Sequence, residues 1–265
     1  LFGSPSDVLI EGTIEGIPCV VLARHGRNHS ITPCNVNYRA NIWALKKLGC
    51  THVIASSACG GLQKYTRPGD FLILDQFYDR TFGRDQSFYA GRKPCLEGVM
   101  HVPMGQPFCE ETRKVKSAHP CVHTRGSGLT INGPRFSSRC ESKIHQSWGI
   151  DVVNMTLVPE VVLAREAGLS YANMSIVTDY DSWKTDVEQV CVLRSPSVVF
   201  LSCLLPVISL LSITDEILHS MCIGSGSYLF SLRPVLRKHY ALNKSQYNNP
   251  YNRRRFIACK CTGYC

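Results

Sequence analysis

The chain has 265 residues, of which 44% are hydrophobic and 18% charged, which is enough apolar material to bury the core of one globular domain. Its net charge of +9 is uneven, because residues 193–265 carry nine basic and two acidic side chains. Residues 1–192 are nearly neutral, so the charge distribution argues against a nucleic-acid-binding protein. No basic segment followed by an apolar segment opens the chain, and the sequence therefore indicates no signal peptide.

Strands and helices alternate along residues 1–192. The predicted elements are a strand at 17–23, a helix at 37–49, strands at 51–61, 70–77 and 151–155, a helix at 159–168 and a strand within 170–181. Both helices end in glycine, at Gly49 and Gly168, as helix C-termini commonly do. This alternation predicts an α/β fold with a mixed central β-sheet flanked by helices. Ligands of such sheets bind at the strand ends.

The character of the sequence changes after Val192. Residues 195–214 carry no charge and are long enough to span a bilayer, but Pro206 and recurring serines disfavour a membrane helix. Residues 243–256 are polar and indicate disorder. The final CKCTGYC has no second ligand pair at zinc-site spacing, and we interpret the 14 cysteines as reduced and mainly structural. We therefore predict a domain at 1–192 and a divergent basic tail at 193–265 that is foreign to the fold.

Two strand ends carry groups that can bind an anion. LARHGRNH places Arg24 and His25 directly after a strand, and a guanidinium pairs with phosphate through two hydrogen bonds. SSACGG supplies the hydroxyls of Ser56 and Ser57 beside small residues that allow close backbone approach. A solvated basic turn and tight strand–helix packing are the alternative interpretations.

Two further segments carry groups that suit a flat ring or a sugar. In TINGPRFSSR, Phe136 can stack on a ring and Ser137 can reach the edge of that ring. An ordinary turn built by Gly133 and Pro134 is the alternative. Met155, between a strand and a helix start, is either a ligand contact or a core methionine.

Asp179 and Asp181 end the apolar run of IVTDYDSW. Two carboxylates at the end of a buried strand are costly unless they bind something. Adjacent carboxyls in a poorly solvated pocket also raise the pKa of one of the pair. The sequence therefore predicts a ligand at this strand end and a carboxyl that can hold a proton near neutral pH.

Taken together, residues 2–192 resemble the methylthioadenosine phosphorylases, a family within the trimeric purine nucleoside phosphorylase superfamily. The segments that carry the resemblance occur in the family's order: ARHGRNHSITPCNVNYRANIWALK, THVIASSACGG, DQFYDRT, QSFY, HVPM, NGPRFSSR, NMTLVPEVVLAREAG and TDYDSWK. Enzymes of this family cleave 5′-methylthioadenosine with inorganic phosphate into adenine and 5-methylthioribose 1-phosphate. The resemblance implies the same reaction here, with phosphate as a co-substrate and with no metal or organic cofactor.

The resemblance also implies a role for each matching residue. Asp179 is expected to bond N7 and the 6-amino group of adenine as the catalytic acid, with Asp181 beside it. Phe136 and Ser137 are expected to line the base pocket and Met155 to pack beneath the ribose. The residues expected to hold phosphate are Arg24, His25, Ser57, Ala58 and Thr156. The residues expected at the methylthio end are Val192 and, from a neighbouring subunit of a homotrimer, His101.

Two alternatives stay open at this point. Purine nucleoside phosphorylases for inosine and guanosine are similar but use Asn at the Asp179 position and Glu at the Ser137 position, whereas this chain matches the 6-amino pattern at both. Family members also begin with a strand and a glycine-rich turn that supplies a phosphate ligand, and this chain starts after that strand. We therefore expect an incomplete fold, and an inactive or merely nucleoside-binding fragment remains the second alternative. The resemblance implies a cytoplasmic and also nuclear protein without nucleic-acid or membrane partners.

Overall fold

A computed structural model describes residues 1–14, 16–114, 120–186 and the strand 228–232. These residues fall within one compact unit, Leu1–Pro234. The strands are β1 Ile10–Ile14, β2 Ile17–Ala23, β3 His52–Gly61, β4 Phe71–Ile73, β5 Gln76–Arg80, β6 Val122–His123, β7 Ser127–Ile131, β8 Val152–Asn154, β9 Ser170–Asp179 and β10 Tyr228–Leu232. The α-helices are α1 Tyr38–Lys47, α2 Glu110–Arg113, α3 Arg139–Ser147 and α4 Leu157–Glu166.

The strands form one mixed sheet, which confirms the predicted α/β class. Its main path runs β1-β2-β10-β3-β8-β7-β5, while β9 pairs with both β3 and β4, and β4 also pairs with β6. The pairs β3–β9, β5–β7 and β7–β8 are parallel, whereas β1–β2, β3–β8 and β4–β9 are antiparallel. The long central strand β3 is apolar at Val53, Ala55 and Cys59, all of which are buried in the core.

Strand β10 lies between β2 and β3 and pairs antiparallel with both. It comes from the segment that the composition marks as a divergent tail, and nothing in the sequence pattern predicted a strand there. Because β10 is antiparallel to both neighbours, β2 and β3 run in the same direction and end at the same edge of the sheet. The domain boundary at residue 192 stays a prediction, since most of 193–265 lies outside the described residues.

The two predicted helices form for recognisable local reasons. The Asn37 side chain caps α1 by accepting a hydrogen bond from the Ala40 N–H at 3.1 Å. Gly49 follows α1 with φ of 78°, the left-handed conformation that glycine adopts easily at a helix end. In α4, Val158 has non-helical φ and ψ, so regular helix begins at Pro159, as predicted. Helix α4 packs against α1 and also contacts β7 and β9.

The structure corrects one predicted element and adds others. The single strand predicted at 70–77 is two strands, β4 and β5, that pair with different neighbours, because Leu74 and Asp75 break the run. Helix α3 was not predicted, although its capping box between Ser138 and Glu141 is visible in SSRCE. No helix in the described part of the chain is long and apolar enough to cross a membrane, and residues 195–214 fall outside that part.

Candidate active site

The predicted ligand groups lie at the shared edge where β2, β3 and β9 end. In the parallel pair β3–β9, Ser57 lies opposite Ser175 and Gly60 lies opposite Asp179. Gly60 lies three positions along the strand from Ser57, which is about 10 Å at 3.3 Å per residue. The hydroxyl predicted to bind phosphate and the carboxylate pair therefore lie about one nucleoside length apart along one strand.

Arg24 begins the phosphate side of the site and is fully buried. Its Nε and Nη2 donate to the two carboxylate oxygens of Glu160, at 2.6 and 2.9 Å, and its Nη1 donates to the Ser56 carbonyl oxygen at 3.2 Å. Glu160 also accepts from the Tyr171 hydroxyl at 2.6 Å. A guanidinium has five N–H donors, so two remain for an anion after these contacts. The carboxylate thus neutralises and orients the buried cation.

His25 follows Arg24 and is buried beside it. Its Nδ1 lies 2.7 Å from the Ile31 carbonyl oxygen, and because a carbonyl only accepts, this nitrogen carries the proton. Burial, and then the charge of Arg24, lower the His25 pKa to about 4. The imidazole is therefore neutral near pH 7, and its Nε2 is the nitrogen available to a ligand.

Two hydroxyl residues complete the predicted phosphate side. Ser57 is buried, and its Oγ makes only long contacts with the side chains of Asn173, at 3.3 Å, and Ser175, at 3.5 Å. Thr156 is also buried, at the N-cap of α4, where its N–H donates to the Asn154 Oδ1 at 3.3 Å. Ala58, between Ser57 and Gly60 on β3, is exposed at the same strand end.

Arg84 connects the loop that contains Met155 to the loop that contains Asn132. Its Nη1 donates to the carbonyl oxygens of Met155 at 2.8 Å and Val158 at 2.7 Å, and its Nη2 donates to that of Asn132 at 2.7 Å. Met155 also packs on Gly133, where an added Cβ would lie 2.6 Å from the methionine sulfur. The Met155 and Asn132 loops are therefore fixed relative to each other by one guanidinium and one glycine.

The carboxylate pair lies directly over Gly60. A Cβ on Gly60 would come within 3.0 Å of both Asp179 Oδ1 and the Asp181 Cβ, so only glycine fits there without displacement. Asp179 accepts from the Asp181 N–H at 2.7 Å and from the Thr178 hydroxyl at 2.9 Å. Burial raises the Asp179 pKa above its ordinary value, against these two hydrogen bonds, and the Asp181 charge raises it further. Asp179 thus holds a proton more readily than an ordinary aspartate does.

The base pocket contains buried polar atoms that are not used by the protein itself. The Ser137 Oγ and the Asp181 Oδ2 are buried and have no hydrogen-bond partner within the described ranges. The Ser182 hydroxyl donates to the Ser137 carbonyl oxygen at 2.7 Å, which joins the two loops. Phe136 is exposed. Buried polar groups normally find partners, so the Ser137 and Asp181 atoms can each take one further hydrogen bond.

Two predicted site residues are not gathered here. His101 is exposed, in the loop that follows Met100. Val192 lies outside the described residues. Across the described residues, no three His, Cys, Asp or Glu side chains lie close enough together to hold a metal ion.

Two residues important to the site were not identified from the sequence. Glu160 is 136 positions from Arg24, and its only sequence signal is a carboxylate within the apolar first turn of PEVVLAREAG. Arg84 could have been suspected from its position between a strand and the polar QSFY. Its three carbonyl partners, however, become neighbours only in the folded chain.

The arrangement combines directed hydrogen-bond donors for an anion with a proton-holding carboxyl about 10 Å away along the strand. Such a site suits the transfer of a glycosyl group from a base to phosphate. The sequence model of the phosphorylase superfamily matches residues 2–193, which places the chain in that class. The chain belongs, within this superfamily, to the S-methyl-5′-thioadenosine phosphorylase family.

Known relatives support this family assignment. The S-methyl-5′-thioadenosine phosphorylase of Aedes aegypti is 60% identical over 195 residues, covering 71% of this chain and 70% of the relative. Methylthioadenosine phosphorylase from Schistosoma mansoni in complex with adenine has a TM-score of 0.72 and 52% identity, over 83% of this chain and 81% of that chain. A mutant of the adenosine/methylthioadenosine phosphorylase from the same organism, in complex with methylthioadenosine, has a TM-score of 0.71 and 51% identity, over 83% and 80%.

Proposed function

We propose that this chain catalyses phosphorolysis of S-methyl-5′-thioadenosine to adenine and 5-methylthioribose 1-phosphate. The observation that carries the proposal is the half-buried carboxylate pair over Gly60, together with the Ser137 hydroxyl, which has no hydrogen-bond partner among the described residues. Asp179 has a raised pKa and can present a proton to N7, while an ionised Asp181 can accept from the 6-amino group. This donor and acceptor pattern suits a 6-amino purine.

The chemistry requires a bond exchange at the anomeric carbon. A phosphate oxygen forms a bond to C1′ as the bond between C1′ and N9 breaks, and the electrons of that bond pass into the purine. Adenine leaves poorly as an anion, so a proton from Asp179 to N7 lowers the barrier. The developing positive charge on the ribosyl carbon is stabilised by the adjacent phosphate dianion.

The predicted phosphate side orients the phosphate but adds little net positive charge. Glu160 neutralises Arg24, so the phosphate is held by the two remaining guanidinium N–H groups and by the hydroxyls of Ser57 and Thr156. The neutral His25 accepts, through its Nε2, from the protonated oxygen of the phosphate. Fixed donors of this kind need no reorganisation during the reaction. Met155, held by Arg84 and Gly133, is positioned to pack beneath the ribose.

We also propose an oligomeric state and a cellular location. We propose a homotrimer in which His101 reaches a neighbouring subunit's methylthio pocket, supported by the exposure of His101 and Val99 in the same loop. Val192 is assigned to the apolar 5′ end of the substrate. The reaction uses phosphate as co-substrate and no cofactor, in the cytoplasm and also the nucleus.

The test is to incubate the purified chain with methylthioadenosine, with and without phosphate, and to measure free adenine while inosine is assayed alongside. Phosphate-dependent adenine release without hypoxanthine is the expected result. Hypoxanthine release at a comparable rate would instead assign the chain to the 6-oxo purine enzymes. Binding of adenine without any purine release, from folded protein, would make it a non-catalytic nucleoside-binding protein.

A further inference from the structure

His145 is a buried titratable group that the proposed mechanism does not yet use. It lies on α3, the helix that begins directly after the Ser137 loop, and is 1% exposed. Its ring packs beside Trp148, with ring centroids 5.8 Å apart. An apolar residue would fill this position without the cost of burying two ring nitrogens.

The contact with Arg80 fixes which nitrogen of His145 carries the proton. The Arg80 Nη1 lies 3.4 Å from the His145 Nε2, and because arginine can only donate, the Nε2 accepts. The neutral ring therefore has its proton on Nδ1. Burial, and then the charge of Arg80 on β5, lower the His145 pKa, so the neutral form predominates near pH 7.

The His145 Nδ1 is a buried donor without a partner, and Asp181 Oδ2 is a buried acceptor without one, in the part of the chain that the structure describes. The Asp181 carboxylate acts on the imidazole by raising its pKa, as does Glu141 from α3 itself, against the effect of Arg80. The Ser142 hydroxyl, one turn earlier on the same helix, is also buried and unpartnered. Helix α3 packs against the end of β3 over which Asp181 lies, since Gln146, next to His145, donates to the Leu62 carbonyl oxygen at 2.8 Å and Asp181 covers Gly60. The unsatisfied donor and the unsatisfied acceptor therefore belong to adjoining segments and are complementary.

We propose that His145 is a positioning residue whose Nδ1–H donates to Asp181 Oδ2 in the substrate complex, directly or through one water. This hydrogen bond keeps Asp181 ionised, so that the single proton of the carboxylate pair stays on Asp179. The inference rests on the proposed function, because it decides which carboxyl faces N7 as the acid and which accepts from the 6-amino group. Without it, either carboxyl could hold the proton.

The test compares His145→Phe with His145→Asn in the full chain, with His123→Asn as the control. Phenylalanine keeps the packing on Trp148 but has no donor, whereas the Asn amide nitrogen can occupy the Nδ1 position. The control histidine lies on β6, where it bonds Asp70 away from the site. The rate of adenine release is measured as a function of pH for each variant.

We expect His145→Phe to lower kcat about tenfold, because Asp181 then takes the proton from Asp179 in most molecules. The basic limb of its pH profile should move about one unit higher, because ionised Asp181 has lost its donor and the carboxylate pair gives up its single proton less readily. His145→Asn should recover most of kcat and the position of that limb. The KM for phosphate should not change in either variant, and His123→Asn should match the original chain.

An unshifted basic limb in His145→Phe, or an equal kcat loss in both variants, would show that His145 only packs and would overturn the inference. If the unsubstituted chain releases no adenine, the proposed function fails separately. The inference is then judged by 15N spectra of histidine with adenine added. A proton on Nδ1 that shifts on adenine binding supports it, and a proton on Nε2, or no shift, overturns it.

Discussion

The two ends of the site differ in how far the protein satisfies its own polar groups. On the phosphate side, Arg24 is held by Glu160 and His25 is held by the Ile31 carbonyl. On the predicted base side, the Ser137 Oγ and the buried Asp181 Oδ2 have no hydrogen-bond partner among the described residues. We therefore propose that folding alone builds the predicted phosphate side, whereas the predicted base side takes its remaining hydrogen bonds from the substrate.

This difference predicts how substitutions at the two ends should behave. Changes on the phosphate side should reduce stability together with activity, because they leave buried charges unpaired. Changes on the base side should reduce turnover while stability is kept, because they remove groups whose partners arrive only with the ligand.

The largest effect is expected for Glu160→Gln, which leaves the buried Arg24 charge uncompensated. We expect the free energy of unfolding to fall by about 3–5 kcal/mol, with phosphate affinity also reduced. Urea denaturation of both proteins measures the change. The matched control is Glu111→Gln, whose partner Lys114 is 65% exposed and whose loss should cost at most about 1 kcal/mol. Equal costs for the two variants would contradict the prediction.

The second prediction concerns acid stability and His25. Its folded pKa of about 4 lies below the ordinary 6.5, so the neutral form favours folding above pH 6.5 and this contribution is lost as pH falls from 6.5 toward 4. The contribution is on the order of 3 kcal/mol. His25→Gln should therefore lose less stability over that window, measured by denaturation at several pH values without phosphate. Parallel pH curves for the two proteins would argue against a neutral buried His25.

The third prediction concerns Asp179→Asn on the base side. Asparagine keeps an oxygen for the Asp181 N–H but cannot supply a proton, so kcat for methylthioadenosine should fall about 100-fold or more. The midpoint of thermal unfolding should not decrease, since the raised pKa shows that folding disfavours the Asp179 charge, and its removal offsets the lost hydrogen bond from Thr178. A loss of stability equal to that of Glu160→Gln would remove the contrast between the two ends.

The smallest effect is expected for Arg84→Lys, which changes the side chain that connects the Met155 loop to the Asn132 loop. Lysine cannot reach the carbonyl oxygens of Met155, Val158 and Asn132 together, so the two loops should shift. We expect kcat/KM to fall about tenfold, because small misplacements of bound substrate slow the reaction. Arg39→Lys, which alters a contact with Asp85, serves as the control and should leave kcat/KM unchanged.

The amino-acid sequence was sufficient to predict the α/β class and the strand ends at which the ligand groups lie. The regular alternation of apolar runs located β2, β3 and β9, and the structure brings the polar residues that follow them to one edge of the sheet. The partners Glu160 and Arg84 could not be found this way, because their contacts join residues far apart in the chain. The position of β10 between β2 and β3 could not be predicted from the local sequence pattern either, because strand pairing is set by tertiary structure.

The most direct test of the central claim follows the fate of phosphate while methylthioadenosine is turned over. Phosphorus NMR of the reaction, with adenine quantified in the same sample, distinguishes phosphorolysis from hydrolysis. The account predicts that each adenine released is matched by one inorganic phosphate converted to a sugar phosphate ester. Release of adenine with phosphate unconsumed would contradict it, because the ordered donors around Arg24 and His25 would then have no part in the bond exchange.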